Sequence, residues 1–494
     1  MSSALLDALD RHARERGDEA AVREAGGRAL AWRELRDAAV ACAWRARREP
    51  GSVTLVSAPN GAELLVAILG CLFAGERVLP VSPELRPSEL ADLAARAGVS
   101  RVAAPDRVRR AIAAPPALPL LPLGELVSGA GARTLSRGLP CDGSILLPSS
   151  GTTGVPRIAR RTLAALEAVG EGSRRAIGIG AGDEMLVVIP LHHSYGIDQA
   201  VLTAMLAGCA LRIARRFDPA RLRAALRGGI SVFPATPFVF DALARTAREA
   251  TPLPRLRRAI SAGSPLRRRV HERFERAFGV RIGQIYGATE FGSVTWNPPD
   301  DPGFDPESVG RPLPGVELRV LDASDPRVDR PLAAGSEGHV AVSAASMLTE
   351  YVDEPGSPLR EGFFATGDLG RVDASGRLSL TGRLKLIADI GGLKVNPLEV
   401  EAALSRHPGV REVLVYATPF TETAERLRAV VVPEDGAEVD AEELRRFAQE
   451  RLLPYKVPRS FELRRELPRS ATGKILRREI ETASPRPAAR GEAS

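Results

Sequence analysis

The residues best suited to chemistry lie between Pro148 and Arg157, where the chain reads Pro-Ser-Ser-Gly-Thr-Thr-Gly-Val-Pro-Arg. Ser149, Ser150, Thr152 and Thr153 bring four hydroxyl donors into a short span. Gly151 and Gly154 let the backbone approach a bulky anion without a Cβ in the way. Arg157 adds a permanent charge that can pair with phosphate. Ile145-Leu146-Leu147 reads as the end of a buried strand, and Thr162 as the cap of a helix with Leu163, Leu166 and Val169 on its apolar side. Such a loop between strand and helix is a place to hold phosphates; a polar surface loop would have the same composition. It is not the P-loop of kinases and ATPases, because Val155-Pro156 follows the second glycine and no lysine appears.

Other stretches carry chemistry of their own. Gln284-Ile285-Tyr286-Gly287-Ala288-Thr289-Glu290 reads as a strand, a glycine turn and a helix start. A tyrosine face stacks on a flat base, and Glu290 is a hard oxygen ligand suited to Mg²⁺. Asp368, in Thr366-Gly367-Asp368, is a charged acceptor for a pair of hydroxyls. Ile260 to Leu266 is a strand running into a turn at Gly263, where a flat ligand can lie against the backbone. His192 and His193 point to opposite faces if extended, which makes them a poor metal pair. Lysine occurs only at Lys385, Lys394, Lys456 and Lys474; every other one of the 68 basic residues is arginine. Where a compact point charge is needed arginine is no substitute, so the four lysines are candidates, although chance retention explains any one of them equally well. Lys474 follows Gly473 in a basic loop that could equally be solvated.

The elements that must position these residues are legible in the pattern. From Val53 to Ala103 apolar strands alternate with helices, near Glu63 to Ala74 and Ser88 to Ala97, which argues a parallel sheet with helices on its faces. The segment 104–140, rich in Ala, Pro and Gly, is read as a connection. Val187 to Pro190 and Ser231 to Pro234 are further strands. From Val309 to Leu380, short strands with Pro and Gly turns suit a small antiparallel sheet or barrel. A turn at 390–397, a helix from Pro397 and strands near Val413 and Ala429 form a small α+β domain. At 494 residues two or more domains are expected. The net charge of +7 is interleaved with acids and aromatics are only 4%, so no nucleic-acid surface is visible. Scattered Cys42, Cys71, Cys141 and Cys209 exclude a zinc or disulfide framework. No apolar run spans a bilayer and Met1-Ser2-Ser3-Ala4 does not open a secretory signal, so a cytoplasmic protein without integral membrane association is expected.

In this order the blocks at 148–157, 284–290, 366–368 and 467–477 resemble the adenylate-forming superfamily: acyl-CoA synthetases, aryl-acid ligases, adenylation domains of peptide synthetases and beetle luciferases. Two departures stand out: Pro156-Arg157-Ile158 for the usual Pro-Lys-Gly, and Gly338-His339 for Gly-Glu. The resemblance implies an α/β fold with a large layered adenylation domain (1–383) containing parallel sheets and a barrel-like subdomain. A small mobile α+β domain (384–480) and a disordered tail (481–494) would follow. It implies ATP, Mg²⁺ and a thiol co-substrate, either CoA or phosphopantetheine, acting on a small carboxylic acid, with a carrier protein as an alternative partner. Residues 149–154, Arg157, Thr289 and Lys474 would face phosphates, with Lys474, Thr289 and His193 catalytic. Glu290 would hold the metal. Tyr286, Gly287 and the turn Gly263-Ser264-Pro265 would hold adenine, and Asp368 and Arg383 the ribose side. His193, Tyr195, Gly263 and Gly287 would line the acid pocket, with His193 near the carboxylate. Lys385 would be the hinge, and Gly391, Gly392 and Lys394 the thiol channel. No acidic residue stands beside Tyr195 (Asp198 lies further on), which favours an acid without an α-amine. A carrier-only acyl-AMP ligase, an amino-acid-adenylating enzyme and a luciferase-like oxygenase are alternatives within the resemblance; a non-catalytic relative would have lost Glu290 or Lys474, and both are present; a kinase would release ADP instead of AMP.

Overall fold

The computed structural model describes residues 3–24, 27–47, 51–105, 119–127, 136–149, 156–247, 249–324, 327–390, 393–419, 425–470 and 473–483. Two compact units are present: Met1–Leu318 with Val342–Phe364, and Arg319–Ala341 with Ala365–Ser494.

The strand and helix alternation read from the sequence builds two sheets in the first unit. One runs in the order Ile282–Gln284, Arg258–Ser261, Val232–Ala235, Glu184–Val187, Ala210–Ile213, Ala20–Glu24, Ala29–Ala31, parallel except for its last pair. The other runs Glu350–Tyr351, Ile158–Thr162, Ser144–Pro148, Arg77–Val81, Val53–Ser57, Arg101–Ala104, Leu120–Pro122, with its first two pairings antiparallel. Helix Ala62–Phe73 is buried on every side but Glu63, as an all-apolar helix must be. Its Gly70 lies so close to helix Trp32–Ala46 that a Cβ there would collide with the Cys42 side chain. The main apolar cluster takes residues from both sheets, Val56 and Ile145 from one and Met185 and Ile260 from the other. Burial pushes the Cys42 thiol up to about 12, so it packs as a small hydrophobe without reactivity.

Two expectations are corrected. The phosphate-type loop does not join a strand to a helix. Ser144–Pro148 and Ile158–Thr162 are an antiparallel pair, with Pro148 opposite Ile158. Helix Leu163–Ile177 begins only afterwards, capped by Thr162, whose hydroxyl accepts from the Ala165 N–H at 3.2 Å. The block 284–290 likewise does not start a helix: Gly287–Ala288 pairs antiparallel with Gly292–Ser293, and Thr289 and Glu290 sit in the bend. Gly292 turns the chain back with φ +68°, a conformation that favours glycine.

In the second unit, Val410–Pro419 pairs antiparallel with Glu425–Pro433, and Ser460–Leu463 runs parallel to the latter. No helix separates the first two strands among the described residues. Their side chains alternate between two cores: Val413, Val415, Ala429 and Val431 in one, Leu414, Tyr416, Val430 and Val432 in the other, the period-2 signature of a sheet covered on both faces. Helix Pro397–Leu404 starts where expected, with the Asn396 side chain accepting from the Leu398 N–H at 3.0 Å. Helix Arg477–Ala483 takes in the first residues assigned to the tail; residues 484–494 lie outside the described residues.

Candidate functional site

In the first unit four parallel strands, Glu184–Val187, Val232–Ala235, Arg258–Ser261 and Ile282–Gln284, lie side by side and share one direction. Their C-terminal ends therefore fall along one edge, where open α/β sheets bind ligands. The chain leaving these strands carries His192-His193, Thr236, Gly263 and Tyr286-Gly287 in turn. Blocks up to about a hundred residues apart in sequence are thus brought together by strand order.

The atoms at this edge are short of partners. Thr236 Oγ1, Ser261 Oγ and His192 Nδ1 are buried with no hydrogen-bond partner among the described residues, which leaves them open to a ligand or a water. Gly263 has φ +88°, and a Cβ there would sit 3.6 Å from the Thr236 methyl. A Cβ at Gly287 would collide with the Gly292 carbonyl oxygen, so the hairpin requires glycine there. Gly263 and Pro265 are exposed and Ser264 half-buried. The Tyr286 ring is buried against Phe291, centroids 5.6 Å apart.

The histidine block forms a turn, not an extended strand. His193 Nδ1 accepts from the Tyr195 N–H at 3.3 Å. The buried Tyr195 hydroxyl donates to the Ile260 carbonyl at 2.8 Å, tying this block to the neighbouring strand, so the phenol is already engaged. Asp198 is also taken: it pairs with the fully buried Arg161 at 2.9 Å and accepts from the Ser293 N–H at 2.9 Å.

Burial lowers the pKa of His192 to about 4, helped by neighbouring His193. In the unfolded chain a histidine titrates near 6.5. The folded form therefore keeps its full advantage above about pH 6.5 and loses it as pH falls towards 4, on the order of 2 kcal/mol for this side chain. Unfolding free energy measured at pH 7 and pH 4.5 should drop less in His192→Asn than in wild type; parallel losses would refute this.

At the phosphate-type loop, Ser149 is described: its N–H donates to the Arg157 carbonyl at 2.7 Å, while its own hydroxyl is buried and has no partner. Ser150, Gly151, Thr152, Thr153 and Gly154 lie outside the described residues. Arg157 lies 3.4 Å from Glu354 and packs over the Tyr351 ring, 4.0 Å from its centroid. The orphan Ser149 hydroxyl fits a phosphate acceptor. Glu290, half-buried in its hairpin bend, fits a Mg²⁺ that takes one carboxylate and otherwise phosphate oxygens and water. No group of three His, Cys, Asp or Glu suited to a metal occurs among the described residues.

In the second unit the two ribose-side candidates are bonded to each other. Asp368 lies opposite Arg383 in a ladder between Phe363–Val372 and Leu378–Arg383, and Arg383 Nε donates to its carboxylate at 2.5 Å. The Asp368 N–H donates to Thr366 Oγ1 at 3.0 Å, and the Gly367 N–H to His339 Nε2 at 2.9 Å. His339, the replacement for the usual glutamate, thus clamps the Thr-Gly-Asp turn. Burial lowers its pKa against the opposing pull of Asp368, which keeps Nε2 free to accept.

The lysines separate into two kinds. Lys394 pairs with Asp389 at 2.8 Å across its hairpin, and Lys456 with Glu399 at 2.6 Å. Lys385 is exposed in the turn Leu384–Leu386. Lys474 is exposed beside Gly473, in a loop closed by the Ser470 N–H to the Lys474 carbonyl at 2.9 Å and by Arg469 to the Gly473 carbonyl at 2.6 Å. Gly391 and Gly392 lie outside the described residues. The sequence reading passed over Thr236, Arg161 and Tyr351. A lone polar residue near a strand end gives no local signal, and the partners of Arg161 and Tyr351 are 37 and 61 residues away.

Comparison with known proteins adds to this geometry. Residues 9–352 match the family model described as AMP-binding enzyme, and residues 399–474 that of the AMP-binding enzyme C-terminal domain. A probable CoA ligase, CCL9, of Humulus lupulus is 31% identical over 69% of this chain, an alignment spanning 66% of its own length. A salicylyl-CoA synthase / salicylate adenylyltransferase of a Streptomyces species is 30% identical over 94% of this chain and 90% of its own. The ATP-bound crystal structure of MatB from Rhodopseudomonas palustris superposes with a TM-score of 0.89 at 26% identity, covering 97% of this chain and 99% of that one. No helix among the described residues is long and apolar enough to cross a membrane.

Proposed function

The chain belongs to the AMP-binding enzyme family, and from that premise we propose that it activates a small carboxylic acid with ATP and passes the acyl group to a thiol, that of CoA. The carrying observation is the row of ligand-ready residues at the ends of four adjacent parallel strands, with unpartnered Thr236, Ser261 and His192 atoms. In the first step a carboxylate oxygen attacks the α-phosphorus. An O–P bond forms, the bond to pyrophosphate breaks, and acyl-adenylate results. The carboxylate is already ionised, so no general base is needed and catalysis is positioning plus charge stabilisation. In the second step the thiol sulfur attacks the acyl carbon, the C–S bond forms, and AMP leaves with its oxygen.

Ser149 with 150–154 and Arg157 hold the phosphates, and Thr289 meets the α-phosphate. Tyr286, Gly287 and Gly263-Ser264-Pro265 hold adenine. Asp368 and Arg383 hold the ribose side. His193, Tyr195, Gly263 and Gly287 wall the acid, with His193 nearest the carboxylate. Glu290 would hold Mg²⁺, which when bound screens the charge of the phosphates. Lys474 serves the first step. Residues 384–480 act as a mobile domain that turns at Lys385 and brings Gly391, Gly392 and Lys394 to the thiol. Asp198, the acidic residue that follows Tyr195 in the chain, is committed to Arg161, which favours an acid without an α-amine, such as an aryl or medium-chain fatty acid. The similarity to a salicylate-activating protein supports that choice.

The deciding experiment measures pyrophosphate release with a panel of aryl, fatty and amino acids, followed by thioester formation on CoA or a carrier protein. Release of pyrophosphate and AMP with aryl or fatty acids is expected. ADP as product, or no stimulation by any acid, would overturn the reading; thioester on a carrier protein alone would overturn the assignment of CoA. Lys385→Pro should leave adenylate formation largely intact and slow thiolysis, because a fixed hinge blocks the turn. A normal overall rate in that variant would remove Lys385 from the hinge.

A further inference from the structure

Tyr351 lies on a two-residue strand, Glu350–Tyr351, which pairs antiparallel with Ile158–Thr162, the strand that leaves the phosphate-type loop. Three backbone bonds set its place: Thr349 N–H to the Arg160 carbonyl at 2.9 Å, Val352 N–H to the Ile158 carbonyl at 2.9 Å, and Leu348 N–H to the Glu290 carbonyl at 2.7 Å. The strand is thereby fastened to the loop's exit on one side and to the Thr289-Glu290 hairpin on the other. The Tyr351 side chain completes the bridge. Its hydroxyl donates to Glu290 Oε1 at 3.0 Å, and the Arg157 guanidinium lies 4.0 Å from its ring centroid. The residue is 5% exposed.

Each contact uses a different property of tyrosine. The hydroxyl makes a charge-assisted bond to a carboxylate, which fixes that group's rotation. Burial and the nearby Glu290 charge raise the phenol pKa, so it remains a donor at working pH. The ring face attracts a cation, and a planar guanidinium stacks there as an ammonium does not. The departure from lysine at 157 therefore has a structural counterpart in this chain.

We propose, on the footing of the acid-activating reading, that Tyr351 is a positioning residue that aims the Glu290 carboxylate at Mg²⁺ with its hydroxyl and seats the Arg157 guanidinium with its ring. A hydrogen-bonding partner behind a metal ligand typically governs about 10–100-fold in metal affinity.

The test separates the two contacts. Tyr351→Phe keeps the ring and removes only the hydroxyl; Tyr351→Leu removes both. Mn²⁺ binding to the full-length protein is followed by electron paramagnetic resonance with ATP present and acid absent, with Mg²⁺ as competitor. ATP binding in EDTA is followed by calorimetry, and thermal unfolding is recorded alongside. Tyr351→Phe should weaken metal binding about tenfold while metal-free ATP affinity and Tm stay at wild-type values. Tyr351→Leu should weaken metal-free ATP binding as well. Unchanged metal affinity in Tyr351→Phe, or a loss shared equally by metal-free ATP binding and Tm, overturns the proposal while leaving the acid-activating reading intact. Absence of metal-dependent ATP binding in wild type overturns both.

Discussion

Lys474→Ala abolishes acyl-adenylate formation and leaves thiolysis of supplied acyl-adenylate close to wild type. That is the expected outcome of measuring the two half-reactions separately, by pyrophosphate release and by AMP release from synthetic acyl-adenylate with CoA. Of the 68 basic residues of this chain only Lys385, Lys394, Lys456 and Lys474 are lysine. Two of the four have local ion-pair partners, Asp389 for Lys394 and Glu399 for Lys456. Lys474 is exposed beside the left-handed Gly473, φ +80°, with the Ser470 N–H donating to its carbonyl and Arg469 to the Gly473 carbonyl. Its ammonium is a compact point charge on a long, rotatable stem. Such a charge acts on the negative charge that grows as the carboxylate joins the α-phosphorus, and removing one group of this kind costs about 10²–10³-fold in rate. Thiolysis has no such demand. Equal loss in both half-reactions would refute the assignment, and Lys474→Arg should recover little because its charge is broad and planar.

Asp198→Ala should cost about 3–5 kcal/mol of stability, the largest effect expected of any substitution away from the chemistry. The Arg161 side chain is fully buried, and Asp198 lies 2.9 Å from it. Arg161 also donates to the Ser346 carbonyl at 3.0 Å, and Ser346 in turn to the Phe291 carbonyl at 2.7 Å. Asp198 accepts from the Ser293 N–H as well. Removing the carboxylate strands a guanidinium in the interior and cuts a tie to the hairpin that carries Thr289 and Glu290, so ATP affinity should fall with stability. A double change, Arg161→Met with Asp198→Leu, should restore most of the stability, since the penalty comes from the uncompensated charge. Chemical denaturation of the three proteins checks this; a loss below about 1 kcal/mol in Asp198→Ala would show that the pair is solvated in practice.

The same pair explains why part of the fold was not legible. Ile158–Thr162 contains two arginines in five residues, so no apolar alternation marks it as a strand. It becomes one because Asp198, from the distant helical segment Ile197–Thr203, neutralises the inward arginine. The helix capped by Thr162 stands where it was expected, but this strand, which was not read, separates it from the loop. The hairpin at 287–293 failed for a related reason: its turn depends on Gly292 and on the close approach of Gly287, facts of backbone geometry that composition does not carry. By contrast, the strand and helix alternation in the first 100 residues follows local apolar period and was readable. So were the Thr162 cap and the helix start at Pro397. Asp368 and Arg383 were named from their motifs, yet their direct bond needed the ladder register to appear.

The ends of the four parallel strands have one more consequence. Thr236 and Ser264 stand past the ends of strands Val232–Ala235 and Arg258–Ser261, so changing either alters that edge without replacing a ladder residue, whereas Tyr195 is tied to the Ile260 carbonyl and Gly287 is itself paired and intolerant of a Cβ. On the acid-activating reading proposed above, new acid preferences should arise at positions of the first kind, one at a time, on an unchanged scaffold.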